Sequence, residues 1–572
     1  MSANPTMSDR VQIRWLHSLK LPFLLLAALA LIVAACGGGG SSNASSKGPS
    51  ILHVVSAPGQ GNPDNFNPYY NTNNGSAYGT QGFMYETLLY VSGYSGQPTP
   101  WLASDYTFSS DLKSLTFHLR SGVKWSDNQD LTSKDVAFTF NLMKQYPALD
   151  QNALWSSTVA SVSAPDDATV VFALKQPNNT ALYRIGGQTF IVPQHAWQNI
   201  GDPSKFTNDT PVVTGPYLLA SHNSQLITYK KNSGYWGTKP AVDEIQVPSI
   251  IDNSHAVLEM AKGSLDWLGS GWDPSVDASF TGRDPQHNHT WFSPSNTVML
   301  YMNLQKWPFN QLAVRQAIST AINRPQMVVG PASYAKPANP SGVLTPTYQS
   351  WIDPQYAGQN FIFDANQAQN LLKQAGFTKG SDGFYADKSG RKLAFTLTVV
   401  SSWNDWVSDT QFIQKDLQAI GINATINAVG GYEPYINALK SGKYDAAVSW
   451  TDAGPTPYYS LNDMLYSGDS AQPGQNVTGS NFERWSDPAT DALLKQYATT
   501  TDQNAQKQAI AGLEKIVAQQ LPTIPLTQNP YWDEYTTKNF TGWPDASNPF
   551  SLGAPYQTPD NEMVVLHLHP AA

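Results

Sequence analysis

One cysteine, Cys36, stands in a chain of 572 residues, which excludes an intramolecular disulfide and any cysteine-rich metal site. Charge is scarce too: Asp, Glu, Lys and Arg make up 13% of the residues, roughly half the usual share. The balance is acidic, −9 at neutral pH, and no basic run interrupts it, which argues against nucleic acid as a partner. Catalytic signatures are missing as well. The chain carries no HExxH, no GxSxG and no complete Walker A, and Gly59-Gln60-Gly61 is only a fragment of a dinucleotide motif. It is therefore read as a non-enzyme without a cofactor. A glycoside-active enzyme stays open as a distant alternative, because its two carboxylates need no fixed spacing. His287-Asn288-His289 and His567-Leu568-His569 each offer two metal ligands, but no carboxylate or cysteine cluster accompanies them, and no metal site is assigned.

Hydrophobic residues make up 41% and aromatics 12%, so the polar surface rests on Ser, Thr, Asn and Gln beside 41 glycines and 40 prolines. That is a loop-rich, exported globular composition; a disordered chain would be less apolar and more charged. The length suffices for about three or four average domains. At the N-terminus, Arg10, Arg14 and Lys20 precede the apolar run Leu21 to Ala35, which is too short for a comfortable span and has the layout of a secretory signal. Val33-Ala34-Ala35-Cys36 resembles the bacterial lipobox, which implies that Cys36 is lipidated. Gly37 to Gly40 and the Ser-rich residues after it form a flexible tether reaching roughly 20 Å as a random coil. No later segment is apolar enough to span a bilayer, so the expected location is the outer face of the cell membrane, held by a lipid anchor alone.

The stretch Ser114 to Met143 organises the rest. Thr116 to Leu119 alternates as a half-buried strand with Phe117 and Leu119 on one face, Arg120-Ser121-Gly122 turns, and Val123-Lys124-Trp125 resumes the extended chain. After a polar loop, Thr132 to Asp135 supplies an N-cap and an acidic first turn for an amphipathic helix through Val136, Phe138, Phe140 and Met143. Periodicity alone gives shape without chemistry. The residues themselves, TFHLRSGVKWSDNQDLTSKDVAFTF, resemble almost position by position the signature segment of extracellular solute-binding proteins of family 5, the oligopeptide- and dipeptide-binding receptors of ABC importers.

Further blocks follow in the family's order. Ile51 to Val55 reads as a strand, Asn65 to Tyr70 as a turn-rich aromatic loop, and Gly82 to Leu89 as a helix. Thr214-Gly215-Pro216-Tyr217 opens a second block, with strands joined by Gly/Asn turns and a helix over Asn253 to Lys262 whose apolar residues are Ala256, Leu258 and Met260. A third begins at Leu300-Tyr301-Met302-Asn303. Asp364 caps a helix ending at Gly376, Leu393 to Val400 is a strand, Phe412 to Ile420 a helix, Ile422 to Ile426 and Tyr444 to Trp450 strands, and Asn504 to Gln520 a helix. Met563 to His569 reads as a closing strand.

This alternation is α/β, mixed with α+β parts. The resemblance implies a two-lobed, periplasmic-binding-protein type II-like fold with an inserted domain and a ligand cleft between the lobes. The expected organisation is a signal peptide over 1–35, a tether over 36–48, lobe I from 49–90, 211–299 and 541–572, the inserted domain over 91–210, and lobe II over 300–540. It further implies a monomer that delivers a small oligomeric solute to membrane permease subunits driven by a cytoplasmic ATPase.

A cleft needs apolar walls and a few directed polar groups, and tryptophans flanked by Asn and Asp suit it because a flat ring stacks on sugar or peptide while the amides orient it. Candidates are Asn65, Asn67, Trp267, Trp272, Trp403, Asn404, Asp405, Trp406, Trp450, Asp452 and Tyr458; for each tryptophan, burial in the core is the competing explanation. Peptide-binding relatives carry, three residues after the tryptophan equivalent to Trp450, an aspartate that pairs with the peptide's amino group. Here that place is Ala453, with Asp452 adjacent, and Tyr444 to Ser449 offers no cation for a terminal carboxylate. A desolvated peptide terminus without a counter-charge is costly. Together with Phe540 to Pro544, the tryptophan segments resemble the branch that binds cello- and related oligosaccharides. The sequence thus favours a neutral, hydroxyl-rich ligand, with an oligopeptide as the alternative.

Overall fold

The structure is a computed structural model that describes residues 48–572 apart from 57, 59–61, 63, 70–78, 271–278, 330–333 and 346. The signal segment, Cys36, nearly all of the tether, Gly59-Gln60-Gly61 and Trp272 lie outside the described residues.

Three sheets carry the architecture. The first has seven strands in the order Asn288–Thr290, Glu534–Thr536, Trp267–Leu268, Ile51–Val55, Glu244–Pro248, Leu226–Lys231 and Tyr217–His222. Ile51–Val55 runs parallel to both of its neighbours and buries Leu52 and Val54, the alternation expected of a strand covered on one face. The second has six strands in the order Lys336–Pro337, Thr523–Pro530, Pro294–Met302, Ala446–Trp450, Ala394–Val400 and Asn423–Val429. Ala394–Val400 is parallel to both strands beside it. Helices such as Asn404–Ile420 supply the crossovers that parallel pairing requires, and Gly421, at φ +97°, ends that helix in the left-handed conformation open to glycine.

The third sheet is antiparallel, in the order Ala103–Phe108, Ser114–Leu119, Thr169–Leu174 and Val159–Asp166. The signature stretch builds its centre. Leu115, Phe117 and Leu119 are buried on one face of the second strand, and Val136, Phe140 and Met143 of the helix Ser133–Gln145 join the same core. The Asp135 carboxylate accepts from the Thr132 backbone N–H at 2.8 Å and its hydroxyl at 3.3 Å, closing the helix start. Its other oxygen accepts from Gln194 N at 2.8 Å, so the cap also fixes the following segment.

The chain passes from the first sheet to the second through 291–293 and returns through 531–533. These two connections run side by side: Tyr531 N donates to Ser293 O at 2.7 Å, and Trp291 N to Asp533 O at 2.8 Å. The two connections thus form a paired ribbon between the sheets.

Three local expectations fail. Gly82 to Leu89 is a turn and not a helix: Gly79 and Gly82 take φ of +88° and +90°, and Tyr85 N bonds Thr80 O. Met563 to His569 is mostly helix, Asp560–His567, started by an acidic first turn and burying Val564, Val565 and Leu566. On the helix Asn253–Lys262 it is Val257 that turns inward, while Leu258 is exposed.

Candidate functional site

The strands Ala394–Val400, Asn423–Val429 and Ala446–Trp450 run in one direction, so their carboxyl ends share one edge of the second sheet. Ligands of open α/β sheets collect at such an edge. Each strand delivers an aromatic side chain there: Trp403 at the start of the helix after the first, Tyr432 at the start of the helix after the second, and Trp450 at the end of the third. Trp403 lies 5.1 Å from Trp406 and 5.7 Å from Trp450, and Tyr432 lies nearly parallel to Trp450 at 6.0 Å, centroid to centroid. Trp406 is buried, whereas Trp403, Tyr432 and Trp450 keep partly exposed surface and Asn404 is exposed. Burial raises the Asp405 pKa, and burial followed by the Asp405 charge pushes that of Asp409 well up. The structure therefore brings Trp403, Trp406 and Trp450 together, with Asn404 and Asp405 at their side.

Next to this cluster lies an excess of negative charge. Asp452 is exposed and accepts from the Ser480 hydroxyl at 2.8 Å. The surrounding protein, then the charge of Asp463, raises its pKa to about 6. Asp463, on the helix Pro457–Leu465, accepts from the Arg184 guanidinium at 2.8 Å. Asp469 follows; burial and then Asp463 push it up to about 7. Arg184 comes from the far side, on the segment after the third sheet. Tyr183 beside it meets Tyr459 edge-on at 4.7 Å, and Asn179 N donates to Ala498 O at 2.8 Å. Burial opposes the guanidinium charge, but Asp463, Tyr459 and Tyr183 outweigh it. The guanidinium thus contacts Asp463, with Asp452 and Asp469 within electrostatic range of it, where the half carrying the third sheet meets the half carrying the second.

The other candidates separate. Asn67 is buried, its amide donating to Pro203 O at 2.8 Å and Phe206 O at 3.0 Å while its oxygen accepts from Tyr69 N; Asn65 accepts from Asn67 N. Both hold a loop, and Asn67 has no donor left for a ligand. Trp267 is fully buried, donating to Asp533 at 3.1 Å and to Gly553 O at 2.7 Å, and packs edge-on against Trp543. Tyr458 is buried and stacks on Tyr497 at 4.4 Å. One histidine of each pair is used locally: His287 bonds Asp284, and His567 bonds Met563 O in its own helix. The sequence reading missed Arg184, Asp463, Asp469 and Ser480. Arg184 and Asp463 are 279 residues apart, and neither lies in a motif.

Comparison with known proteins supplies the family. Residues 97–472 match the model of bacterial extracellular solute-binding proteins, family 5. This chain belongs to that family. The dipeptide-binding protein of Escherichia coli (strain K12) is 25% identical to this family 5 protein over 491 residues, spanning 81% of this chain and 87% of the relative. Among solved structures, the periplasmic oligopeptide-binding protein of an oligopeptide ABC transporter from Thermotoga maritima superposes with a TM-score of 0.83 at 26% identity, covering 91% of this chain and 99% of its own. The mannohexaose-bound form of the Thermotoga protein gives 0.81 at 27%, covering 92% and 99%. The family 5 protein accordingly has the mixed α/β, two-lobed fold of periplasmic binding proteins.

Proposed function

We propose that this family 5 protein is the solute-capturing component of an ABC importer, and that its ligand is an oligopeptide whose free ammonium group lies against Asp452, Asp463 and Asp469. The single observation behind the ligand is the charge count: three carboxyl groups face one guanidinium. A neutral sugar leaves that excess uncompensated, whereas an ammonium group supplies the missing positive charge through charge-assisted hydrogen bonds. The position after Trp450 that relatives fill with aspartate is Ala453, but Asp452 and the two acids folded beside it take over the role.

In this reading the lobes are 49–90 with 211–299 and 541–572 on one side and 300–540 on the other, with 91–210 inserted. They close about the ribbon of 291–293 and 531–533. Ligand stabilises closure by its higher affinity for the closed state. The chain acts as a monomer, held to the outer face of the membrane through lipidated Cys36, and hands its cargo to permease subunits powered by a cytoplasmic ATPase. It performs no catalytic step.

Oligosaccharide is the second reading, favoured by the partly exposed rings of Trp403, Tyr432 and Trp450 and by the mannohexaose-bound neighbour. Calorimetric titration with di- to pentapeptides and with manno- and gluco-oligosaccharides separates the two. Micromolar or tighter peptide binding with no sugar response is expected, and sugar binding with no peptide response overturns the assignment.

A further inference from the structure

A second acidic centre is built from residues outside the aromatic cluster and the Asp452 group. Glu86 and Glu562 are almost completely buried, at 1% and 2% exposure, and come from opposite ends of the chain. They share their donors. The Trp101 indole N–H lies 2.9 Å from Glu86 Oε1 and 3.3 Å from Glu562 Oε1, and the Tyr235 hydroxyl lies 3.0 Å and 3.2 Å from the same two atoms. The Trp236 indole N–H reaches Glu86 Oε2 at 3.0 Å. Two oxygens that crowd the same two donors are themselves neighbours. These neutral donors, with the Thr214 hydroxyl beside Glu86, do not offset two buried negative charges so close together.

The other charged and titratable groups around the pair do not remove the difficulty. Arg120 stands over the Trp236 ring, 4.9 Å from its centroid, and spends its Nε on Trp101 O. Lys239 donates to Tyr235 O. Asp560, on the same helix as Glu562, has its own donors in Tyr90 Oη at 2.9 Å, Gly93 N at 3.0 Å and Leu552 N at 3.0 Å, and adds further negative charge. Tyr90 is engaged there.

We propose that Glu86 and Glu562 hold one proton between them, and that this proton is the ligand that fastens the C-terminal helix Asp560–His567 to the body of the protein. The carboxyl of one donates to the carboxylate of the other, leaving one negative charge for the two indoles and the tyrosine. Burial raises the pKa of Glu86, and burial with the Glu86 charge lifts that of Glu562 further, which agrees with the geometry. The joint ties together four parts of the molecule: the turn before Leu89–Val91, Trp101 just before Ala103–Phe108, the loop between Leu226–Lys231 and Glu244–Pro248, and the C-terminal helix. A carboxyl whose pKa rises on folding gives stability that is complete below the ordinary glutamate range and is lost as pH climbs through the folded value.

The test counts protons. Unfolding of the full chain at pH 7, followed by calorimetry in buffers of different ionisation enthalpy, reports how many protons the folded state holds beyond the unfolded one. In Glu562→Gln the amide N–H donates to Glu86 in place of the shared proton, so this variant folds and releases about one proton fewer than the wild type on unfolding. Glu86→Gln behaves alike. Equal proton release in wild type and both variants overturns the proposal. Failure of both single variants to fold at pH 7 overturns it as well, because glutamine replaces a protonated carboxyl bond for bond.

Discussion

The two acidic centres resolve the same problem in opposite ways. At Glu86 and Glu562 the carboxyls are sealed from solvent and ringed by indole and phenol donors, and the missing positive charge is a proton. At Asp452, Asp463 and Asp469 one guanidinium is built in, and Asp452 stays exposed. A sealed deficit is met once, on folding. In the proposed reading an open one is met again with each ligand.

The comparison can be broken most forcefully at Arg184. Arg184→Met removes the guanidinium of the open centre and leaves Asp463 without its ion-pair partner, so the variant should lose about 2 kcal/mol at pH 8 by urea unfolding, less than a fully buried pair because both side chains keep some exposure. The loss should shrink at pH 5, below the raised values of Asp452 (about 6) and Asp469 (about 7), where these two carboxyls no longer add charge around the guanidinium. An equal loss at both pH values would mean that Arg184 acts by packing alone.

Asp452→Asn sharpens the open side. It should weaken binding of a free-amino peptide by roughly tenfold to thirtyfold, the worth of a charge-assisted hydrogen bond, without changing unfolding by more than about 0.5 kcal/mol. Acid should act in the same direction. The ammonium group prefers ionised carboxylates, so affinity falls as pH drops through the Asp469 value of about 7 and then through the Asp452 value of about 6, and on the alkaline side it declines once the peptide's amino group loses its proton above about 8. Each group contributes at most about tenfold per pH unit. The smallest effect belongs to Ser480→Ala, which takes one hydroxyl donor from Asp452 and should cost about threefold in affinity. A pH-independent peptide affinity would remove the carboxylates from the ligand account.

Much of the fold was legible where the information is local. Asp364, whose side chain accepts from Gln367 N, caps a helix as read, and the alternation in Thr116 to Leu119 put Phe117 and Leu119 on the correct inward face. Local reading failed where a short apolar run fits either period. Met563 to His569 alternates like a strand, yet Val564, Val565 and Leu568 also make a helical face, and the acidic turn at Asp560 and Glu562 decides for helix. Gly82 to Leu89 failed for another reason: the burial of Glu86 against Glu562 is set by a partner 476 positions away and leaves no local trace. The aromatic half of the site was visible because Trp403, Trp406 and Trp450 lie at strand ends in stretches that resemble the family. Its charged half was invisible, since Arg184 meets Asp463 only through the tertiary contact between halves of the molecule.

The most direct measurement is a paired calorimetric titration at pH 8 of one tripeptide and its N-acetylated twin, which differ only in the charge at the amino end. The free tripeptide should bind at least tenfold more tightly, and the gap should close in Asp452→Asn. Equal affinities for the two peptides would contradict the assignment of the acidic centre to an ammonium group.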